Sequence, residues 1–173
     1  YPQEGGVILH QVSYSFDVSG CAVYAGICRG MTLFTIDHAM AANLQECFAA
    51  LKRSKLTLWV STPSFAELCV QSERFSQALL PCLGQFLFCG EVLTHTLCGT
   101  LTKRFPSARI LNTYGPTEAT VLVTAAEITE EMRKDSRPIP IGRPIDGVTL
   151  RLERDGQVVT GEEETGELQI LGP

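Results

Sequence analysis

The chain has 173 residues, 45% of them hydrophobic, 19% charged and 8% aromatic, with a net charge of −5. A chain of that length makes one domain, or a domain and part of another, and buries roughly 70% of its unfolded surface. The acidic balance without a basic block argues against a nucleic-acid partner, and no uninterrupted apolar run approaches a membrane span.

In chain order, Tyr1-Pro2-Gln3-Glu4 lacks the basic and apolar regions of a signal peptide, which makes a cytoplasmic location the expectation. Residues 7–12 form an apolar strand candidate, and residues 18–28 read as a helix apolar on most sides, with Gly30 suited to its end. A strand is expected over 31–36. A helix follows over 41–52, because Leu44, Cys47, Phe48 and Leu51 recur at i, i+3, i+4 and i+7. Residues 56–60 are the next strand, and Thr62-Pro63 offers an N-cap with proline in the first helical position for a helix over 64–71. A fully apolar strand, 86–89, ends at Gly90-Glu91. A helix over 94–105 is closed by Pro106, and a buried strand is expected over 108–111. Strands alternating with helices imply an α/β fold, with a mostly parallel sheet flanked by helices.

After Arg137 the texture changes. Pro138, Pro140 and Pro144 break any helix, residues 149–153 alternate apolar and polar, Asp155-Gly156 supplies a hairpin turn, and residues 166–171 alternate again. The expected organisation is an α/β subdomain over 1–137, then a linker and the start of an antiparallel β unit over 138–173, the whole being a central piece of a larger protein.

The seven cysteines, Cys21, Cys28, Cys47, Cys69, Cys82, Cys89 and Cys98, include no Cys-x-x-Cys pair and mostly sit among apolar neighbours. They read as small buried residues rather than a disulfide framework. His10, His38 and His95 lack metal-ligand spacing.

The stretch that concentrates chemistry is Asn112-Thr113-Tyr114-Gly115-Pro116-Thr117-Glu118. Gly and Pro stop the preceding strand. An aromatic face, a hydroxyl and a carboxylate then stand at a strand's carboxyl end, where open α/β sheets bind ligands. Such a set suits a nucleotide base, a phosphate oxygen and a magnesium ion respectively. A tight turn capping the next segment accounts for the same residues without any ligand.

This string resembles the core motif of the adenylate-forming superfamily of acyl-CoA synthetases, luciferases and peptide-synthetase adenylation domains. Phe16-Asp17-Val18-Ser19, Phe88-Cys89-Gly90-Glu91, Ile139-Pro140-Ile141-Gly142-Arg143-Pro144, and Gly166-Glu167-Leu168 with Gly172-Pro173 resemble four further motifs of that superfamily, in its order. Residues 59–65, 86–91 and 112–121 are similar to the D-alanine–carrier-protein ligases. Enzymes of that family make aminoacyl-AMP from ATP and an amino acid and pass the aminoacyl group to a carrier protein's phosphopantetheine thiol.

The resemblance implies a role for each matched residue. Asp17 would pair with the substrate ammonium; on local grounds alone an N-cap before Val18 is the simpler account, and a carboxylate can do both jobs. Val18, Cys21, Leu87, Cys89, Thr113 and Val121 match the substrate pocket and suit a small uncharged side chain. The Cys89 thiol, if it faces the ligand, leaves little room; a misplaced methyl there is worth about 1–3 kcal/mol, enough for a preference between alanine enantiomers. The family holds the adenine between the Gly90-Glu91-Val92 backbone and the Tyr114 ring, with Asn112 and Gly115 in the same nucleotide-binding set. Thr117 would contact a phosphate and Glu118 the Mg2+.

The family's phosphate loop, ribose-binding aspartate, hinge and catalytic lysine have no counterpart in these residues, so the chain alone is expected to be inactive. Three other readings stay open: an adenylation domain for another small amino acid, an acyl-CoA synthetase, and a nucleotide-binding module without catalysis.

Overall fold

A computed structural model describes residues 5–161 and 164–172. The opening Tyr1-Pro2-Gln3-Glu4 and Pro173 of the last motif lie outside the described residues. The main sheet has seven strands: β1 (Val7–His10), β2 (Thr32–Thr35), β3 (Leu58–Ser61), β4 (Gln85–Phe88), β5 (Arg109–Tyr114), β6 (Thr124–Glu127) and β7 (Arg143–Pro144), in the order β2-β1-β3-β4-β5-β6-β7. The first five strands run parallel; β6 is antiparallel to β5, and β7 to β6.

Helices α1 (Val18–Arg29), α2 (His38–Ala42), α3 (Leu44–Ser54), α4 (Pro63–Val70), α5 (His95–Arg104) and α6 (Glu130–Lys134) connect the strands. Their placement follows from handedness. The step from β1 to β2 goes one way across the sheet, and the step from β2 to β3 goes back past β1. Crossovers between parallel strands are right-handed, so α1 must cover one face and α3 the other. The later steps continue in the direction of the second, which puts α4 and α5 beside α3.

The side chains sort accordingly with a period of two. Ile8, Leu58, Val60 and Leu87 face α1 and pack with Cys21, Ala22 and Ala25. Leu9, Trp59, Phe86, Phe88 and Ile110 face the other way, into the larger core with Phe48, Leu51, Phe65, Cys69, Leu97 and Leu101. Gly26 lets α1 come close: a Cβ there would stand 3.0 Å from a Leu33 methyl.

Trp59 is the hub of the larger core, with the Phe65, Phe75 and Phe86 rings at 5.5, 5.1 and 5.9 Å. A buried indole N–H requires a partner. Nε1 donates to Ser61 Oγ at 2.7 Å, and that hydroxyl donates to the Thr62 carbonyl, also at 2.7 Å. Ser61→Ala is therefore expected to cost about 1–3 kcal/mol in chemical denaturation, because it strands that N–H.

The helix expected over 41–52 is two helices. Asn43 breaks it: its backbone is extended, and its side chain accepts from the Gln45 and Glu46 N–H groups, capping α3. Strand β5 runs on to Tyr114 instead of ending at Leu111, because Asn112, Thr113 and Tyr114 pair with Ala126, Ala125 and Thr124 of β6. The tail carries a second sheet, with β8 (Thr149–Arg154), β9 (Gln157–Val159) and β10 (Glu167–Leu171) all antiparallel in the order β10-β8-β9. Asp155 and Gly156 both have positive φ (52° and 76°), as a two-residue hairpin turn requires. No helix among the described residues is long and apolar enough to cross a membrane.

Candidate functional site

Because β2 and β3 flank β1, the loops leaving β1 and β3 diverge and open a crevice at the carboxyl edge of the sheet, where such folds take ligands. A cleft of about 840 Å³ occupies that position. Its walls come from the carboxyl ends of β1 to β5 and the segments after them: residues 10–14 and 16–18, Thr35 to His38 with Ala41, Thr62, Gly90-Glu91 and Gly115-Pro116-Thr117. Of the residues singled out from the sequence, Asp17, Val18, Gly90, Glu91, Gly115 and Thr117 line this cleft.

Asp17 sits just before α1 in right-handed helical conformation, and its side chain makes no capping hydrogen bond. The local explanation for this residue, an N-cap, therefore does not describe what its carboxylate does. Its backbone carbonyl instead accepts from Gly20 N at 2.8 Å. Val18 follows it directly, and Cys21 stands one turn along α1 from Asp17.

The apolar candidates gather beside them. Cys89 is 1% exposed and packs with Val12, Val18 and Val121. Its thiol donates to the Val121 carbonyl at 3.7 Å. Burial pushes the Cys21 thiol up to about 12, helped by the neighbouring Cys89 and Asp17. Burial likewise raises Cys89, against the Thr113 hydroxyl and the Gly90 backbone, which favour the thiolate. Both thiols stay protonated at neutral pH, so these two side chains are neutral. Leu87 belongs to the layer under α1, and the buried Thr113 donates to the Phe88 carbonyl at 2.8 Å.

The nucleotide-binding candidates are placed by backbone geometry. Gly90 has φ +89°, a left-handed conformation that favours glycine. The next residue secures the turn: Glu91 accepts from Ser64 N at 2.9 Å and from Ser64 Oγ at 3.0 Å. Thr62, the residue expected to cap α4, makes no such bond. The Glu91 carboxylate thus serves as the cap of α4 from 27 residues away, a role that sequence spacing does not reveal. Glu91→Ala is expected to lower stability by about 1 kcal/mol in denaturant titration.

Val92 is 80% exposed and Tyr114, the last residue of β5, 39% exposed. Asn112 is buried and donates from Nδ2 to the Pro140 carbonyl at 2.9 Å. Thr124 Oγ1 similarly donates to the Ile141 carbonyl at 2.7 Å, so the proline-rich stretch is tied to the end of the sheet.

Thr117 opens a single 3-10 turn, Thr117–Ala119, on which Glu118 is exposed. The chain then passes through Thr120 (φ 61°) and Val121 (φ 75°), two β-branched residues in the left-handed region. Each such residue costs of order 1–3 kcal/mol. The folded-back 121–123 backbone lies so near Gly115 that a Cβ there would stand 2.7 Å from Val121 O and from Leu122 Cα.

Among the cleft residues that no motif covers is one buried imidazole. His10, the last residue of β1, is 3% exposed and borders the cleft. A polar residue inside the apolar run 7–12 was the one available signal, and the strand in fact ends on it, at Val7–His10.

Comparison with known proteins adds to this geometry. The chain is 42% identical over 171 residues to the D-alanine--D-alanyl carrier protein ligase of Bacillus cytotoxicus, covering 99% of this chain and 34% of that protein. The Bacillus anthracis protein of the same name gives the same identity and coverage. The chain therefore spans about a third of the length of these curated relatives. Among solved structures, IdnL1 superposes with a TM-score of 0.91 at 21% identity, over 99% of this chain and 35% of that one. The Vibrio cholerae adenylation domain AlmE, determined with glycyl-adenosine-5'-phosphate, superposes at 0.80 with 24% identity, over 96% of this chain and 32% of that one. At those identities the likeness is one of fold. The model of the AMP-binding enzyme family matches residues 2–173, and the chain belongs to that family.

Proposed function

We propose that this chain is the substrate- and adenine-binding part of an ATP-dependent ligase that adenylates D-alanine and transfers it to the phosphopantetheine thiol of a carrier protein. The observation that carries the proposal is the Asp17 carboxylate, which borders the cleft without a capping bond, in a chain 42% identical to D-alanine--D-alanyl carrier protein ligases. An acyl substrate without an ammonium would leave that carboxylate facing no counter-charge, which disfavours an acyl-CoA synthetase.

In the proposed reaction a carboxylate oxygen of the amino acid attacks the α-phosphorus of ATP. Pyrophosphate leaves and aminoacyl-AMP remains; the carrier thiol then takes the acyl group, loses its proton and releases AMP. Asp17 holds the ammonium with Val18 beside it, and Cys21, Leu87, Cys89, Thr113 and Val121 form the small, neutral packing behind that part of the cleft. Gly90, Glu91 and Val92 with Tyr114 border the adenine, Asn112 and Gly115 hold the motif's shape, and Thr117 donates to a phosphate oxygen.

Among the described residues no group of three or more His, Cys, Asp or Glu side chains is arranged to hold a metal ion by itself. That fits magnesium arriving with the nucleotide, which takes one or two carboxylates and fills its shell with phosphate oxygens and water. Glu118, exposed on its 3-10 turn, is the carboxylate offered. When bound, the ion neutralises phosphate charge. We assign residues 1–137 to this substrate and adenine subdomain and 138–173 to a linker and the start of a β-rich one.

Amino-acid-dependent ATP–pyrophosphate exchange by the full-length polypeptide tests the reading, with D-alanine, L-alanine, glycine and serine compared. D-alanine is expected to drive exchange best. Preference for another amino acid would move the assignment to a peptide-synthetase adenylation domain, and silence with all four would reject amino-acid activation.

A further inference from the structure

We propose that His10 is a ligand-contacting residue whose imidazole N–H donates to an anionic oxygen of the molecule held in the cleft. That oxygen belongs either to the carboxylate of the substrate or to a phosphate of the nucleotide. The inference rests on the reading of the cleft given under Proposed function.

His10 ends the strand at which the sheet's connections diverge, and it borders the cleft while being only 3% exposed. Both ring nitrogens are sealed from solvent, and neither meets a hydrogen-bond partner among the described residues. Leaving such a group unsatisfied costs about 1–3 kcal/mol, and native structures rarely tolerate it without a functional reason. Only one residue in the seven-strand sheet bears this cost at the ligand edge.

The chemistry of the missing partner follows from the surroundings. No lysine or arginine stands among the described residues that line the cleft. Its carboxylates are Asp17, Asp37 and Glu91; Asp37 accepts from the Met40 N–H as the cap of α2, and Glu91 is engaged by Ser64. A cationic group of the ligand is therefore provided for by Asp17. Among the described lining residues, an anionic oxygen meets hydroxyls, backbone N–H groups, the Gln11 amide and the two imidazoles, His10 and His38, and of these side chains His10 is the one that is buried with no hydrogen-bond partner. Burial lowers the pKa of His10 and keeps it neutral, so it presents one N–H and one lone pair. The N–H is the half that an anion selects.

Access is provided by Tyr14. Its ring lies over the imidazole, with centroids 4.5 Å apart, and is itself 73% exposed. Exposed side chains change rotamer on the picosecond-to-nanosecond timescale, so the ring lying over His10 turns aside without moving backbone.

The test uses the full-length polypeptide labelled with 15N-histidine, with the His10 ring signals identified by their loss in His10→Gln. AMP is compared with adenosine, and D-alanine with its amino alcohol, which lacks the carboxylate. A shift of the His10 N–H signal with AMP but not adenosine assigns the phosphate as its partner. A shift with D-alanine but not the alcohol assigns the carboxylate. In parallel, His10→Phe is expected to weaken binding of the responding anion about 10- to 100-fold and to leave its uncharged counterpart unchanged. The proposal is overturned if AMP and D-alanine bind while the His10 signals stay still, or if His10→Phe weakens charged and uncharged members equally. Wild-type protein that binds none of the four would overturn the functional reading as well. Should His10→Phe fail to fold, the wild-type spectra alone decide.

Discussion

Asp17→Asn in the full-length polypeptide is expected to lower kcat/KM for the amino acid by at least about 100-fold, with little change in thermal stability. The loss of one partner from a desolvated ion pair costs roughly 3–5 kcal/mol. Asp17 is half-buried before a ligand closes over it, which favours the lower end of that range. Stability is spared because the carboxylate makes no bond to the start of α1. Pyrophosphate exchange against amino-acid concentration separates the alternatives. A KM that does not move would mean that Asp17 does not hold the ammonium; a large fall in melting temperature would mean that it holds the helix.

The second large effect is structural. Gly142 has φ +94°, and a Cβ on it would stand 2.0 Å from the Ala125 carbonyl oxygen and 2.2 Å from its carbon. Both partners are backbone in a paired strand, since Ala125 of β6 is in register with Thr113 and with Arg143, so neither can yield cheaply. Gly142→Ala is expected to cost roughly 3 kcal/mol or more, a fall of about 10 °C in melting temperature for a domain of this size. Gly147→Ala is the control, because its φ is also positive (+84°) but nothing lies within 4 Å of the added atom. It should cost only about 1 kcal/mol. Equal effects at the two positions would refute the clash. The clash also accounts for glycine in the Pro-Ile-Gly-x-Pro stretch: the carbonyls of the two preceding residues, Pro140 and Ile141, are held by Asn112 and Thr124, and the glycine that follows has no room for a side chain.

The parallel strands were readable because both faces of each are covered. Residues 58–61 and 86–88 are apolar nearly throughout, as the α1 layer on one side and α3, α4 and α5 on the other demand. Strand β6 was not, since Thr124-Ala125-Ala126-Glu127 has neither alternation nor bulk and is a strand by virtue of pairing with β5. The polar Asn112 and Thr113 hid the end of β5 for the opposite reason. They are buried, and each spends its hydrogen bond on a carbonyl that only the folded chain brings near.

At the site, the motifs located the loops correctly in chain order. They did not distinguish residues that border the cleft, such as Asp17 and Thr117, from those packed behind it, such as Cys89 and Leu87. His10 carried no motif at all. Its interest comes from burial, which no local pattern reports.

The left-handed pair Thr120 and Val121 has a consequence for how this chain would respond to selection. Directed evolution for heat resistance alone should enrich glycine or asparagine at position 121, because either relieves a β-branched residue at φ 75°. Such winners would lose the packing of Val121 against Cys89 and Val18. They should therefore gain thermal tolerance while discriminating less well among small substrates. A library sorted first for melting temperature and then for substrate choice would separate at this one codon.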